Sequence, residues 1–480
     1  MKSTFNHHQF KRTLCFVLAI LLIAGCGDGD KEEATFNNRA PVITSNSLDT
    51  STVGVAYTYI LEATDADGDS LAITAQITPP WLSFDTATGM LTGTPTAADL
   101  GDNQVELNVT DGIDLITQAF TIVVSAAQRD SVFPVSSMLL GTQAFSANYT
   151  FDNTKTQLVE QADVVKQAGF NIFKFGLSQR IFSAWEDSHH GENSFYDLPA
   201  MSQYQSLADI AENEPSVRHA LDLDFPVLCL WTYTIAGGEN FPDDVASYNE
   251  MYDLTKYLLT KYNNTGRLFL LGHWEGDWWV LGDFNPSIES LPPSTKAAYI
   301  NWVNNRQAAI EAARNDTPHS DVWVGQYVEV NRVSDFIDFG YERLVNGILP
   351  EVTVDAVSYS IYDAGLNNVS RNLDAIESHA NFTDYLTELF PGKKVFLGEF
   401  GFAVRDSSGA IIRTPEVQKE LTMQIVNDAS EWGAPLAFYW QLFNNETSTN
   451  GAETGWWLID DNNVNQPVYD AFVEYLAQEN

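Results

Sequence analysis

Between residues 136 and 480, short apolar runs alternate with longer stretches of helical periodicity, and this alternation constrains the fold more than any other feature of the chain. Runs that are apolar on both faces suit strands covered on both sides, as in a parallel sheet whose crossovers are helices. The first unit sets the pattern. Leu139-Leu140-Gly141 leads to Asn153-Thr154, read as a helix cap, and then to a helix with Leu158, Ala162 and Val165 on one face, stopped by Gly169. Further strands are read at 171–177, 226–232, 268–274, 322–328, 356–362, 394–401 and 435–441. With the first, they make the eight βα units of a closed (β/α)8 TIM barrel of ordinary length, whose site lies on the loops after the strands. An open doubly wound sheet is the alternative, but no GxGxxG motif, P-loop or GxSxG elbow supports it.

Period-two alternation names the inward side chains of each strand. It groups Leu271, His273 and Glu275 on the fourth, and Val395, Leu397 and Glu399 on the seventh. Leu436, Phe438 and Trp440 follow on the eighth, Ser358, Ser360 and Tyr362 on the sixth, and Lys174 on the second. The fourth run continues as LFLLGHWEGDWWVLGD (268–283), an apolar strand that opens into carboxylates and tryptophans. A carboxyl beside apolar rings loses hydration and its pKa rises, as a general acid requires. Sugars present C–H faces to rings and hydroxyls to carboxylates, so carbohydrate is the expected partner of Glu275, of Asp277 in reserve, and of Trp231, Trp274 and Trp278. The plainer reading packs the tryptophans in the core and leaves the acids solvated.

Two carboxylates on one barrel rim can flank a glycosidic bond. A gap of about 5 to 5.5 Å gives retention, and roughly 6.5 to 9.5 Å admits water and gives inversion. Lys174 or Tyr362 beside Glu399 would keep it ionised for attack. The alternative for Glu399 is a structural acid paired with Lys174, although singly paired buried carboxylates are uncommon outside sites. This chemistry needs no metal or organic cofactor. His189-His190 with Glu186 and Asp187 lack the usual zinc spacing and suit a substrate loop better. Trp456-Trp457 is either a sugar platform or packing under the last helix, 468–476.

The acid ending strand four, the run Phe396-Leu397-Gly398-Glu399-Phe400-Gly401 and Trp440 together resemble the large retaining clan of barrel glycoside hydrolases that includes cellulases, mannanases and β-galactosidases. The resemblance implies that Glu275 is the acid/base and Glu399 the nucleophile. One departure stands out: that clan has Asn directly before the strand-four Glu and often Pro after it, where this chain reads His273-Trp274-Glu275-Gly276-Asp277. His273 is the candidate to replace that Asn in contacting the sugar; otherwise the chain belongs to a diverged family.

Residues 40–125 change period, to short alternating runs separated by Gly, Pro and Asp, which indicates a β-sandwich with Trp81 and Phe84 in its core. ATDADGDSL and PPWLSFDTATGMLTGTP resemble the cadherin-like, immunoglobulin-type modules common on bacterial surface proteins. Asp65, Asp67, Asp69 and Asp111 could gather around a structural calcium ion or simply form turns.

Ahead of this module, Lys2, Lys11 and Arg12 precede a short apolar run in the manner of a secretory leader, 1–25. Its end, Leu22-Ile23-Ala24-Gly25-Cys26, resembles the bacterial lipobox. That implies a lipid on Cys26 and a membrane anchor followed by a flexible tether, 26–39, with a second linker at 126–135. Cys15 leaves with the leader, so Cys229 alone remains in the folded part and no internal disulfide forms. A formal charge of −39 argues against nucleic acid and weakly against a polyanionic substrate. The expectation is a monomeric, exported glycosidase on the bacterial cell envelope, exposed at the outer membrane. Its rivals are a glycan-binding lipoprotein without activity and an adhesin.

Overall fold

The computed structural model describes residues 37–478 except 53–54, 97–98, 100, 126–137, 179–203, 236–240, 242–244 and 286. The leader with Cys26, the 126–135 linker and His189-His190 lie outside the described residues. No helix among the described residues is long and apolar enough to cross a membrane. The chain divides into two compact units, Met1–Gln128 and Arg129–Asn480.

The first unit is a sandwich. Thr50–Thr52, Leu115–Ser125, Gly101–Thr110 and Ala72–Ile77 form one sheet in that order, and Tyr57–Ile60, Met90–Gly93 and Leu82–Asp85 form the other. Alternation buries Tyr57, Tyr59, Leu91, Val105, Leu107, Val109, Ile122 and Val124 between them. Trp81 and Phe84 are not in that centre. They are half-buried at its margin, where Trp81 packs edge-on against Tyr57 and its Nε1–H donates to Asn103 Oδ1 at 3.0 Å. An indole with a polar tip is cheapest to bury where that tip finds a partner.

The second unit is a closed barrel of eight parallel strands: Leu139–Ala144, Ile172–Ser178, Val227–Tyr233, Arg267–Gly272, Val322–Val330, Ala356–Ser360, Val395–Phe400 and Leu436–Tyr439. Leu139 to Thr142 pair with Leu436 to Tyr439 and close it. The first helix, Gln157–Gln167, starts later than expected. Thr156 caps it by accepting from Val159 N–H, while Thr154 hydrogen-bonds within a turn to Asp152. Ile172, Cys229, Leu270, Tyr327, Phe396 and Phe438 fill the interior, and a larger cluster packs between strands and helices.

Two strands run out of phase with the expectation. On strand four, Leu268 and Leu270 face the interior, whereas Leu271 joins the helix layer. Gly272 is the next inward position, and a Cβ there would lie 2.2 Å from the Tyr327 ring. On strand seven, Phe396 faces inward, with Val395 and Leu397 outward. The register then slips: Tyr359 pairs with Leu397, but Ser360 pairs with Glu399. Gly398 is therefore the extra residue of a β-bulge, and the bulge turns Glu399 into the barrel mouth.

Candidate active site

Three inward carboxylates and one ammonium make the centre of the site. Lys174, fully buried on strand two, places Nζ 2.9 Å from Glu329 Oε2, 3.0 Å from the Gly398 carbonyl and 3.4 Å from Glu399 Oε1. It also lies 4.7 Å above the Trp231 ring. An ammonium without water needs such partners. Ser358 donates its hydroxyl to Glu329 Oε2 at 2.7 Å, and the backbone N–H of Glu275 donates to Glu329 Oε1 at 3.0 Å. This close assembly explains the glycine of the bulge, because a Cβ on Gly398 would lie 1.7 Å from Ser358 Oγ.

Glu275 does not lie on strand four itself. It follows the strand as the residue before the short helix Gly276–Leu281, with φ 16° and ψ 73°, neither helical nor extended. The chain turns there and leaves the Glu275 side chain with no capping bond to the helix. Burial raises its pKa, the charges on Glu399 and Glu329 raise it further, and Lys174 opposes them. Glu399 is also raised, first by burial, but Lys174 touches it and is the largest opposing influence. Burial works against the Lys174 charge, yet Glu329 and Glu399 outweigh it and raise its pKa. Of the two glutamates, Glu399 is the one that contacts a cation among the described residues, and this favours its ionised form over that of Glu275.

The structure gives other expected site residues different work. His273 points into the helix layer, 3% exposed, so it is not a substrate contact. Its Nδ1 lies 2.9 Å from the Trp274 carbonyl, which can only accept, so Nδ1 carries the proton and Nε2 accepts the Tyr299 hydroxyl at 2.6 Å. Burial pushes its pKa down to about 4, which keeps the ring neutral. Asp277 is 1% exposed and spends both oxygens on backbone: Oδ2 on the N–H groups of Asn331 and Arg332, Oδ1 on that of Leu344. It ties its own short helix to the loop after strand five and to the start of the helix Leu344–Gly347, and is not a spare acid. Trp278 packs on Phe284, under the Arg332 guanidinium, on the helix side.

Trp231 is part of the floor, stacked on Phe145 with centroids 4.1 Å apart. Trp274 borders the interior, and its backbone N–H donates to the Tyr233 hydroxyl at 2.9 Å. Tyr362 stands at the rim, 40% exposed, edge-on to Trp456 at 5.7 Å. Trp440 directs its indole N–H to Glu446 Oε1 at 3.3 Å, and a cis peptide joins it to Gln441. Burial raises the Glu446 pKa against the Trp440 and Trp456 indoles. Glu329, Glu446 and Trp456 are the members of this surface that sequence reasoning missed or left undecided. The alternation Val328-Glu329-Val330 was the available signal for the first.

In the sandwich, carboxylate oxygens of Asp65, Asp67 and Asp69 approach within 4.8 Å of one another, and Asp111 does not join them. Arg39 pairs with Asp67 at 2.6 Å, Asn38 donates to Asp111 at 2.9 Å, and Asp65 Oδ1 accepts the N–H groups of Asp67 and Asp69.

Residues 40–125 match the family described as Putative Ig domain, in agreement with the sandwich. No curated protein matches the chain. Among solved structures, a family 39 glycoside hydrolase from Bacteroides cellulosilyticus is 13% identical, with a TM-score of 0.40, covering 91% of this chain and 82% of that one. A β-D-glucuronidase from Dictyoglomus thermophilum is 12% identical, with a TM-score of 0.37, covering 92% and 68%. An endo-fucoidan hydrolase of glycoside hydrolase family 107 is 31% identical, with a TM-score of 0.18, over 20% of this chain and only 15% of its own.

Proposed function

We propose that the barrel is a retaining glycoside hydrolase in which Glu399 is the nucleophile and Glu275 the acid/base. The observation that carries this reading is the unequal treatment of two buried carboxylates: Lys174 holds its ammonium 3.4 Å from Glu399, whereas no cation among the described residues pairs with Glu275. In the first step, Glu399 attacks the anomeric carbon as Glu275 gives its proton to the leaving glycosidic oxygen. In the second, Glu275 takes a proton from water, the hydroxide forms the new bond to that carbon, and the Glu399 ester is released. The aromatic rim of Trp274, Tyr362, Trp440 and Trp456 suits the faces of a poly- or oligosaccharide.

The test is a panel of neutral, uronate and sulfated polysaccharides with the products sized, and the anomer formed followed by NMR. Retention on a neutral glycan is the expected result, since three carboxylates against one ammonium disfavour an anionic sugar. First formation of the inverted anomer, or no turnover of any glycan, would remove the reading in favour of inversion or of mere binding.

The same proposal places the enzyme on the bacterial envelope through a lipid on Cys26, a reading supported by the leader and its lipobox-like end. Cys26→Ala is expected to move the protein from the membrane fraction to the soluble fraction with activity retained. Membrane retention of that variant would exclude the anchor.

A further inference from the structure

We propose that Glu329 is a positioning residue that sets the working pH of both catalytic glutamates. It does so by fixing the backbone of Glu275 through one oxygen and dividing Lys174 with Glu399 through the other. The inference rests on the glycosidase reading and adds to it a third carboxylate. That carboxylate is fully buried at the end of strand five. Its two oxygens accept three hydrogen bonds, from two other strands and a loop: Oε1 takes the Glu275 N–H, and Oε2 takes Lys174 Nζ and Ser358 Oγ, beneath the Gly398 bulge. A purely structural acid would need only to satisfy Lys174. This one also reaches the backbone of the proposed acid, and it lies closer to the ammonium than Glu399 does, at 2.9 Å against 3.4 Å.

The electrostatic consequence has a definite sign. The Glu329 charge raises the pKa of Glu275 and of Glu399, and it draws on the cation that would otherwise lower Glu399 fully. The histidine, cysteine and tyrosines around Glu329 do not change charge in the relevant range. His273 is held neutral down to about pH 4, Cys229 is pushed up to about 12, and the hydroxyls of Tyr299, Tyr327 and Tyr362 all have raised pKa values, the first two through burial. Asp277 faces Glu275 and is committed to backbone N–H groups, and Glu446 faces Glu399 and remains in place in the variants below.

Glu329→Gln keeps the shape and removes the charge. In a bell-shaped profile of kcat/KM, the acid limb reports ionisation of Glu399 and the basic limb loss of the Glu275 proton. Both limbs should move to lower pH, by about one unit for a lost charge interaction of that order, with a fall of about tenfold or more at pH 7. Glu329→Asp keeps the charge but shortens the reach, so kcat should fall with both limbs unmoved. Loss of activity in Glu329→Gln with both limbs in place would overturn the proposal. If that variant does not fold, an unchanged kcat in Glu329→Asp would overturn it instead. Carboxyl 13C titration of Glu-labelled protein gives a readout independent of turnover, in which the Glu275 and Glu399 midpoints should both fall in Glu329→Gln. If the wild-type enzyme turns over no glycoside, the glycosidase reading fails by itself, and midpoints that stay put would sink the Glu329 role separately.

Discussion

Glu275→Ala is expected to lose most of its activity on natural glycans, about 10²- to 10⁴-fold as for removal of a general acid, and yet to cleave an activated aryl glycoside. A sugar alkoxide leaves badly without a proton, whereas a dinitrophenolate needs none. Glu399 can therefore still form the glycosyl-enzyme from the aryl substrate, and the second step then stalls, because no base deprotonates water. Azide needs no base. It should restore turnover and give a glycosyl azide with the anomeric configuration of the substrate, since two displacements have occurred. Glu399→Ala should be inactive on every substrate, and any azide rescue should give the opposite anomer by a single displacement. If the two variants exchange these behaviours, the roles are reversed. If Glu275→Ala behaves as wild type while Asp277→Ala shows the acid pattern, the wrong carboxylate has been assigned. Because Asp277 spends both oxygens on backbone N–H groups of three residues, Asp277→Ala should instead cost stability.

The barrel was legible because its signal is coarse: eight apolar runs at regular intervals survive errors of a residue or two. The phase within a strand is a finer matter. Leu268-Phe269-Leu270-Leu271 is buried on both faces, so its composition does not say which side chains face the interior, and the predicted phase was one residue out. His273 was lost to the helix layer for that reason. Glu275 reaches the mouth because the chain turns after Gly272, not because of strand alternation. On strand seven two errors cancelled. Val395 and Leu397 face outward, but the bulge at Gly398 adds the one residue that returns Glu399 to the interior.

What sequence could not show depends on distant partners. Asp277 looks like any first-turn acid until Asn331 and Leu344, far along the chain, meet it. Glu329 was missed for a smaller reason, since the fifth run was ended at Val328 and the strand continues to Val330. Lys174 was legible because a lysine in a strand of aromatic and aliphatic residues must find an acid. Its first partner turned out to be Glu329, and Glu399 shares the ammonium at the longer distance.

That sharing leads to the second large effect. Lys174→Met fills a similar volume but leaves the buried oxygens of Glu329 and Glu399 without their cation. Breaking one side of a buried ionic cluster costs about 3 to 5 kcal/mol, and the variant should melt clearly below wild type at pH 7. The deficit should depend on pH. Glu399 already has its folded pKa raised by burial, and losing Lys174, the main influence lowering it, raises it further. A carboxyl raised in the folded state leaves stability intact below its unfolded pKa, about 4.3, and costs stability as pH rises through the folded value. The gap between Lys174→Met and wild type should therefore be smallest near pH 4 and widen toward pH 7. Activity at neutral pH should fall in parallel, because a protonated Glu399 cannot attack. Adding Glu329→Gln removes one of the two stranded charges, so the double variant should be more stable than Lys174→Met alone, a non-additivity expected only of groups in one network. Equal melting of Lys174→Met and wild type from pH 4 to 7 would show that the ammonium does not hold this carboxylate cluster, and with it the electrostatic basis for Glu399 as nucleophile would fall.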